Sequence, residues 1–173
     1  MQWIKKLDQS IFYWCNQRLS SPAMDRLFAF ITHLGGARFT IICALLLLWF
    51  AEGEYKKVGV QSSIALAVSH LIAVLIKKSV RRNRPFRMLN SVRLGNYPLK
   101  DYSFPSGHTT AIFAFLTPIM LVSSPGVGLV LFILALLVAL SRVYWGYHYP
   151  LDCVVGGMIG FSTAMISSWL MVS

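Results

Sequence analysis

The amino-acid sequence predicts an all-α integral membrane protein, a bundle of six helices with an amphipathic segment at its N-terminus. Two observations carry this prediction. Hydrophobic residues make up 56% of the 173 residues and charged residues only 13%, whereas soluble domains carry about a quarter charged residues. The apolar residues also stand in long runs, which a globule of this length has no room to bury. We expect residues 1–173 to form one membrane-embedded domain.

Five apolar segments are candidate spans, and inside a bilayer each must be a helix because a helix pairs its own backbone groups. They are Ala37–Ala51, Val58–Ile76, Thr109–Val122, Gly126–Leu140 and Cys153–Val172. A span needs roughly 17–20 residues, so the first, third and fourth must extend into flanking residues. A sixth candidate, Ser21–Gly36, carries Asp25, Arg26 and His33 and is either a short tilted span or a half-buried helix.

The first 21 residues precede these spans. They contain Lys5 and Lys6 but no continuous apolar core and no small-residue cleavage site. We therefore expect a retained amphipathic segment that lies on the membrane surface, not a signal peptide.

Positive charge is concentrated in one stretch. Eight of the 16 lysines and arginines lie between Lys77 and Lys100, and no acidic residue lies among them. Such a stretch is typical of a cytoplasmic loop that follows the positive-inside rule, or of a surface that attracts anionic lipids. It is also typical of a phosphate-binding site, and charge alone does not separate these interpretations. In a membrane protein we expect lipid phosphate as the partner, not nucleic acid, and no feature indicates an obligate protein partner.

Alternation of the spans brings three polar segments to one face. The span before the basic stretch ends where that stretch begins, and the next two spans leave this face and return to it. The polar segments 77–85, 104–110 and 141–152 are therefore expected to lie close together.

Residues 104–110, FPSGHTT, open an apolar helix. Ser106 is a suitable N-cap, and the free N–H groups that follow, with Gly107 allowing close approach, make an anion site aided by the helix dipole. His108 lies in the first turn, at the mouth of such a site. Taken alone, the segment more often marks an ordinary capped helix start.

Residues 148–152, HYPLD, begin the last apolar segment. Pro150 suits the first turn of a helix, and His148 and Asp152 share a face if the helix begins early enough. A carboxylate that accepts the proton of one ring nitrogen aims the other nitrogen as a base or nucleophile. Taken alone, the pair is equally compatible with a structural hydrogen bond.

Three cations suit phosphate: Lys77, Arg84 and Arg142. A guanidinium binds phosphate oxygens bidentately, and an ammonium supplies a compact charge. The surplus cations are expected near lipid head groups; they are Lys78, Arg81, Arg82, Arg87, Arg93 and Lys100. The sequence has no carboxylate cluster for magnesium, and its three cysteines share no metal-ligand spacing. Two histidines and an anion cradle therefore favour phosphoryl transfer without a metal.

The motifs together resemble the three-part signature of the type-2 phosphatidic acid phosphatase (PAP2) family. They are Lys77-x6-Arg84-Pro85, Pro105-Ser106-Gly107-His108 and Ser141-Arg142-x5-His148-x3-Asp152. The resemblance implies that His148 is the nucleophile, that Asp152 orients it, and that His108 protonates the leaving oxygen. It also implies that the phosphate is held, without a metal or other cofactor, by Lys77, Arg84, Ser106, Gly107 and Arg142.

The resemblance implies a bacterial lipid phosphatase, similar to phosphatidylglycerophosphate phosphatases. A lipid phosphate monoester of the phosphatidylglycerol phosphate or phosphatidate type is the expected substrate, favoured by Gly107. Undecaprenyl diphosphate is the alternative. An anionic-lipid transporter that does no chemistry is a further alternative, although binding alone requires no paired imidazoles. We expect a multi-pass protein of the cell membrane with its active site extracytoplasmic, against the positive-inside rule.

Overall fold

Helices make up most of the chain that the structure describes. The structure is a computed structural model that describes residues 2–95 and 99–171. Its elements are α1 (Gln2–Tyr13), a π-helical turn (Trp14–Arg18), α2 (Pro22–Leu34), α3 (Ala37–Phe50), α4 (Gly53–Val80), α5 (Pro85–Met88), α6 (Gly107–Val122), α7 (Pro125–Tyr144) and α8 (Pro150–Leu170). No strand occurs in the described residues, and the all-α prediction is confirmed.

The helix starts follow local sequence signals. Proline stands in the first turn of α2, α5, α7 and α8, where its missing N–H is not needed. Ser21 caps α2 by accepting a hydrogen bond from the Met24 N–H at 3.3 Å. Ser106 caps α6 in the same way, with Thr109 N at 3.5 Å from its hydroxyl, as the sequence predicts.

Two helices run further than their apolar segments. The helix α4 continues past Ile76, so Lys77 stands on its last turn. The helix α7 continues past Leu140 to Tyr144 and carries Arg142 within it, not in the loop that follows. Apolarity marks only the part of a helix that faces lipid or core, and these polar turns face the functional end of the bundle.

The described helices differ in their ability to cross a bilayer. By length and apolarity, α7, α8 and the stretch Gly53–Met88, which contains α4 and α5, qualify alone, whereas α2 and α3 qualify only as a pair bent by 52°. The apolar α6 has 16 residues. The sixth candidate, Ser21–Gly36, is therefore the first limb of a bent pair. The last segment begins at Pro150, before the predicted Cys153, and Val172 lies outside the described residues.

The helix α6 is the centre of the bundle. Nearly all of its side chains from Thr109 to Pro118 are buried, and α4, α7 and α8 surround it. The closest approach is to α8, where a Cβ added at Gly156 would lie 2.6 Å from the Ser106 carbonyl oxygen, and one at Gly160 would meet the Thr110 carbonyl oxygen. Glycine thus lets α8 hold the first turn of α6 in place.

The helix α1 is amphipathic, as predicted. Its apolar side faces away from the protein and consists of Trp3, Ile4, Leu7 and Ile11, continued by Trp14, all more than two-fifths exposed. Asp8 and Phe12 are buried on the opposite side. This distribution is typical of a helix that lies in a membrane interface.

Candidate active site

The three polar segments meet at one end of the bundle. Arg84, after α4, places its Nη1 2.8 Å from the carbonyl oxygen of Tyr147 and 3.1 Å from Nε2 of His148. The backbone N–H of Ser106 donates to the carbonyl oxygen of Asp152 at 2.9 Å. Contacts between backbone and side chains therefore join all three segments directly.

His148 stands on a tight loop between α7 and α8. Its backbone N–H donates to the carbonyl oxygen of Arg142 at 3.2 Å, and its side chain is 2% exposed. A guanidinium can only donate hydrogen bonds, so Nε2 of His148 accepts from Arg84 and its proton resides on Nδ1. That Nδ1 faces Asp152, with Oδ2 at 3.6 Å, just beyond a direct hydrogen bond.

Burial controls the charge of His148. Loss of contact with water lowers its pKa to about 4, and the charges of Arg84 and Arg142 act in the same direction, whereas Asp152 opposes them. The imidazole is therefore neutral at pH 7. A neutral ring keeps a lone pair on Nε2, which accepts from Arg84 in this structure and can attack an electrophile once that hydrogen bond is given up.

The Asp152 carboxylate is completely buried and fully engaged. Its Oδ1 accepts from Arg82 at 2.6 Å. Its Oδ2 accepts from the Tyr149 backbone N–H at 2.9 Å and from the Ser103 hydroxyl. These bonds fix the carboxylate behind the His148 ring.

The carboxylate of Asp101 forms ion pairs with two of the predicted phosphate-binding cations, Lys77 and Arg84. Its two oxygens accept from Lys77 Nζ and, at 2.6 Å, from Arg84 Nη2. Burial alone would raise the pKa of Asp101, but the hydrogen bond from Lys77 and the charges of Lys77 and Arg84 lower it to about 2. The pairs therefore persist at all physiological pH values.

His108 and Arg142 share the wall of a cavity of about 260 Å³. The guanidinium of Arg142 donates to the Thr32 hydroxyl at 2.7 Å and lies 4.4 Å from the centroid of the Tyr147 ring. Its buried Nε has no hydrogen-bond partner among the described residues. A buried, partly unsatisfied cation beside a histidine favours an anionic ligand.

Ser106 and Gly107 line the start of α6. The hydroxyl of Ser106 is buried and accepts from the Thr109 hydroxyl at 3.0 Å. Apart from its chain neighbours and its own helix backbone, no atom of the described residues lies within 4 Å of a Cβ built at Gly107, so a ligand has room beside the first helical N–H groups. All eight predicted site residues therefore lie at this end of the bundle.

Four contributors were not among the predicted site residues: Arg82, Asp8, Asp101 and Ser103. Arg82, expected near lipid head groups, instead binds Asp152 and Asp8. Asp101 and Ser103 contact site residues from the loop before α6. The sequence carried one signal for the acidic partners. The chain has only 6 acidic residues against 16 basic ones, so few carboxylates are available to neutralise buried cations.

Comparison with known proteins gives the same picture. The profile of the PAP2 superfamily matches residues 59–172. The putative undecaprenyl-diphosphatase YbjG of Escherichia coli is 32% identical over 167 residues, which cover 94% of this chain and 83% of YbjG.

Two solved structures are similar. LpxE of Aquifex aeolicus superposes with a TM-score of 0.82 at 28% identity, covering 93% of this chain and 94% of that one. A transmembrane PAP2-type phosphatidylglycerolphosphate phosphatase of Bacillus subtilis superposes with a TM-score of 0.77 at 19% identity, covering 98% and 87%, and shows the shared fold. The chain therefore belongs to the PAP2 superfamily, and it is a multi-pass membrane enzyme that removes phosphate from lipids.

Proposed function

We propose that this site hydrolyses the phosphate monoester of a lipid of the phosphatidylglycerol phosphate or phosphatidate type through a phosphohistidine on His148. The carrying observation is the placement of the His148 ring, with Nε2 against Arg84 and Nδ1 facing Asp152. A ring held in this way presents one lone pair in a known direction.

In the first step Nε2 of His148 attacks phosphorus while the bond to the lipid oxygen breaks. His108, protonated beside the negatively charged phosphate, gives its proton to that oxygen, so the leaving group departs as an alcohol and His108 becomes neutral. A positive charge develops on the attacking ring as its new N–P bond forms, and Asp152 stabilises it through the Nδ1 proton.

In the second step water replaces histidine at phosphorus. His108, now neutral, takes a proton from the water, whose oxygen bonds to phosphorus as the N–P bond breaks. Inorganic phosphate leaves and His148 regains its lone pair. Charge on the transferred group is neutralised by the phosphate cradle, which comprises Lys77, Arg84, Ser106, Gly107 and Arg142. No metal is required in this scheme.

Binding of substrate must rearrange the cradle. Lys77 and Arg84 are paired with Asp101, and Arg84 also donates to His148. The substrate phosphate takes over these donors, since its oxygens are acceptors of the same kind. Asp101 therefore holds the cations in position between turnovers.

An apolar groove supports a lipid substrate. It encloses about 410 Å³ between α3, α4 and α6, and its lining extends from Ile41 and Leu45 to Gly107 and Thr110. A phosphate at Gly107 can thus be joined to hydrocarbon chains that lie in the groove and enter sideways from the bilayer. Strong preference for water-soluble phosphate esters would contradict this route.

A diphosphate lipid is the second candidate. It is favoured by YbjG, whose name describes a putative undecaprenyl-diphosphatase and which aligns with 94% of this chain. The same two-step chemistry would cleave a phosphoanhydride, with a phosphate in place of the alcohol as leaving group.

The deciding experiment measures phosphate release by purified protein from phosphatidylglycerol phosphate, phosphatidate and undecaprenyl diphosphate in the presence of EDTA. His148→Ala is the control. We expect the monoesters to give the higher kcat/KM and His148→Ala to release none. Preference for the diphosphate selects the second candidate, and loss of activity in EDTA contradicts the metal-free scheme.

The site is proposed to face the extracytoplasmic side, as the family resemblance implies. In a cysteine-free background, Lys100→Cys tests the active end and Ser124→Cys the opposite end, since both positions are exposed. A membrane-impermeant maleimide added to intact cells should label only the first variant. Labelling of the second alone would reverse the orientation.

A further inference from the structure

Arg82 joins two buried carboxylates behind the active site. Its terminal nitrogens donate to Asp152 Oδ1 and to Asp8 Oδ2, each at 2.6 Å. Its Cζ lies 3.9 Å from the centroid of the Tyr149 ring. Asp8 and Asp152 are 5% and 0% exposed, so water screens neither ion pair as it screens a surface pair.

Asp8 has a second contact at the same place. Its Oδ1 accepts from the backbone N–H of Leu151 at 2.8 Å. Leu151 lies in the first turn of α8, where backbone N–H groups lack a partner within the helix. Asp8 therefore binds both the arginine that holds Asp152 and the helical turn that carries it.

The loop before α6 contacts both Arg82 and Asp152 through Ser103. The Ser103 backbone N–H donates to the carbonyl oxygen of Arg82 at 2.8 Å, and the Ser103 hydroxyl donates to Asp152. Arg82 is thereby fixed at its backbone as well as at its guanidinium.

Asp8 lies on the amphipathic helix α1. Its outward side presents Trp3, Ile4, Leu7 and Ile11, whereas its inward side presents Asp8 and Phe12. One short helix thus connects an apolar surface suited to the bilayer interface with the carboxylate that faces the nucleophile.

We propose that Asp8 and Arg82 are positioning residues for the reaction. Through them the interfacial helix α1 holds the Asp152 carboxylate in position behind the His148 ring. This inference rests on the proposed role of His148. Their hydrogen bonds toward the site run to Asp152 and to the first turn of α8, so both act through Asp152.

The physical reason is charge balance behind the nucleophile. The charged groups that face His148 are Arg84, Arg142 and Asp152, and His108 faces it from α6. Arg82 neutralises Asp152 from its other side. Without Arg82 the carboxylate keeps its full negative charge and turns toward His148, which makes the ring easier to protonate and less fixed in direction.

The test is steady-state kinetics on a lipid phosphate monoester in mixed micelles across a range of pH, with the full-length protein. For Asp8→Asn and Arg82→Gln we expect kcat to fall about 10- to 100-fold, as for other residues that orient a reacting group, with KM little changed. In Arg82→Gln the acid limb of the kcat/KM profile should move to higher pH, because Asp152 loses its neutralising partner. Arg82→Lys should recover part of the loss, because one ammonium reaches one carboxylate but cannot span two.

Lys5→Gln is the matched control, because it removes a charge from the exposed part of α1. It should retain wild-type kcat, and melting of each variant in detergent reports folding. Wild-type kcat in Asp8→Asn and Arg82→Gln, or an acid limb that does not move in Arg82→Gln, would overturn the inference. If either of these does not fold, Arg82→Lys decides: wild-type kcat in that variant contradicts it.

Failure of the proposed function would look different. In that case His148→Ala would keep wild-type activity, whatever Asp8 and Arg82 do. An inactive His148→Ala together with a fully active Asp8→Asn would sink only the present inference.

Discussion

The two ends of the helical bundle are built from different interactions. At the active end, buried charges meet: Arg84, Asp152 and Arg142 are 1%, 0% and 3% exposed. Away from it, α6 packs with α8 through glycine and with its other neighbours through aliphatic and aromatic side chains. Both regions exclude water. The active end also buries charged side chains, and these are stable there only when ion pairs or hydrogen bonds compensate them.

This difference teaches where substitutions will act. Charge changes at the active end should alter the reaction first, because their partners are reacting groups or the groups that orient them. Volume changes in the packed region should alter stability first. Four predictions test this division.

The largest effect is expected for His148→Ala. Removing a nucleophile commonly costs about 10⁴-fold or more in kcat, and the proposed role of His108 is proton transfer, not attack on phosphorus. Phosphate release measured at saturating lipid checks this. Residual activity within tenfold of wild type would remove His148 from the chemistry.

The next effect is expected for Arg84→Lys. Arg84 contacts Asp101, the Tyr147 carbonyl oxygen and His148 through three different nitrogens, and a single ammonium cannot reproduce that fork. We expect kcat to fall roughly 10²–10³-fold, the range for loss of one stabilising donor. Arg87→Lys, at an exposed arginine in the same stretch, is the control and should be near wild type.

In the packed region, Gly160→Ala should lower stability more than activity. Its added Cβ would lie 2.9 Å from Ala114 N and would also meet the Thr110 carbonyl oxygen. Such overpacking costs roughly 1–3 kcal/mol. Gly126→Ala is matched, because no described atom lies within 4 Å of its added Cβ. Thermal melting in detergent should separate the two, and equal melting temperatures would contradict the close α6–α8 contact.

The smallest effect concerns pH. The pKa of His148 is about 4 in the folded protein and near 6.5 when unfolded. The unfolded chain therefore binds the extra proton first as pH falls, and this histidine destabilises the fold progressively below pH 6.5. Between pH 7.5 and pH 5 the loss amounts to about 2 kcal/mol.

The variant His148→Asn lacks this titration. Its free energy of unfolding should therefore fall less over the same pH interval than that of the wild type, measured in detergent and denaturant. Identical pH dependence in the two proteins would mean that His148 is not held neutral by burial.

Sequence reasoning found those parts of the protein that repeat a local pattern. Apolar runs predicted the helices, Ser106 predicted a cap, and alternation of spans predicted that His108 and His148 lie at the same end. The bend between α2 and α3 was not predicted, because Gly35 and Gly36 also suit a simple loop. Partners that are distant in sequence were missed as well.

Arg82 shows why. It lies among other lysines and arginines, and nothing local distinguishes it from Arg81, whose side chain is exposed. Its role depends on Asp8, 74 residues earlier, and Asp152, 70 residues later. Thr32, which accepts from Arg142 across 110 residues, is the same case. Only tertiary packing decides which of several equivalent cations meets a buried carboxylate.

The most direct test of the central claim is to trap the intermediate. The purified protein is mixed with a lipid monoester labelled in its phosphate, quenched in alkali, in which phosphohistidine survives, and digested for mass spectrometry. We predict one phosphorylated histidine, at position 148, that is absent from His148→Ala. Phosphate on another residue, or full turnover by His148→Ala with no labelled protein, would contradict the account.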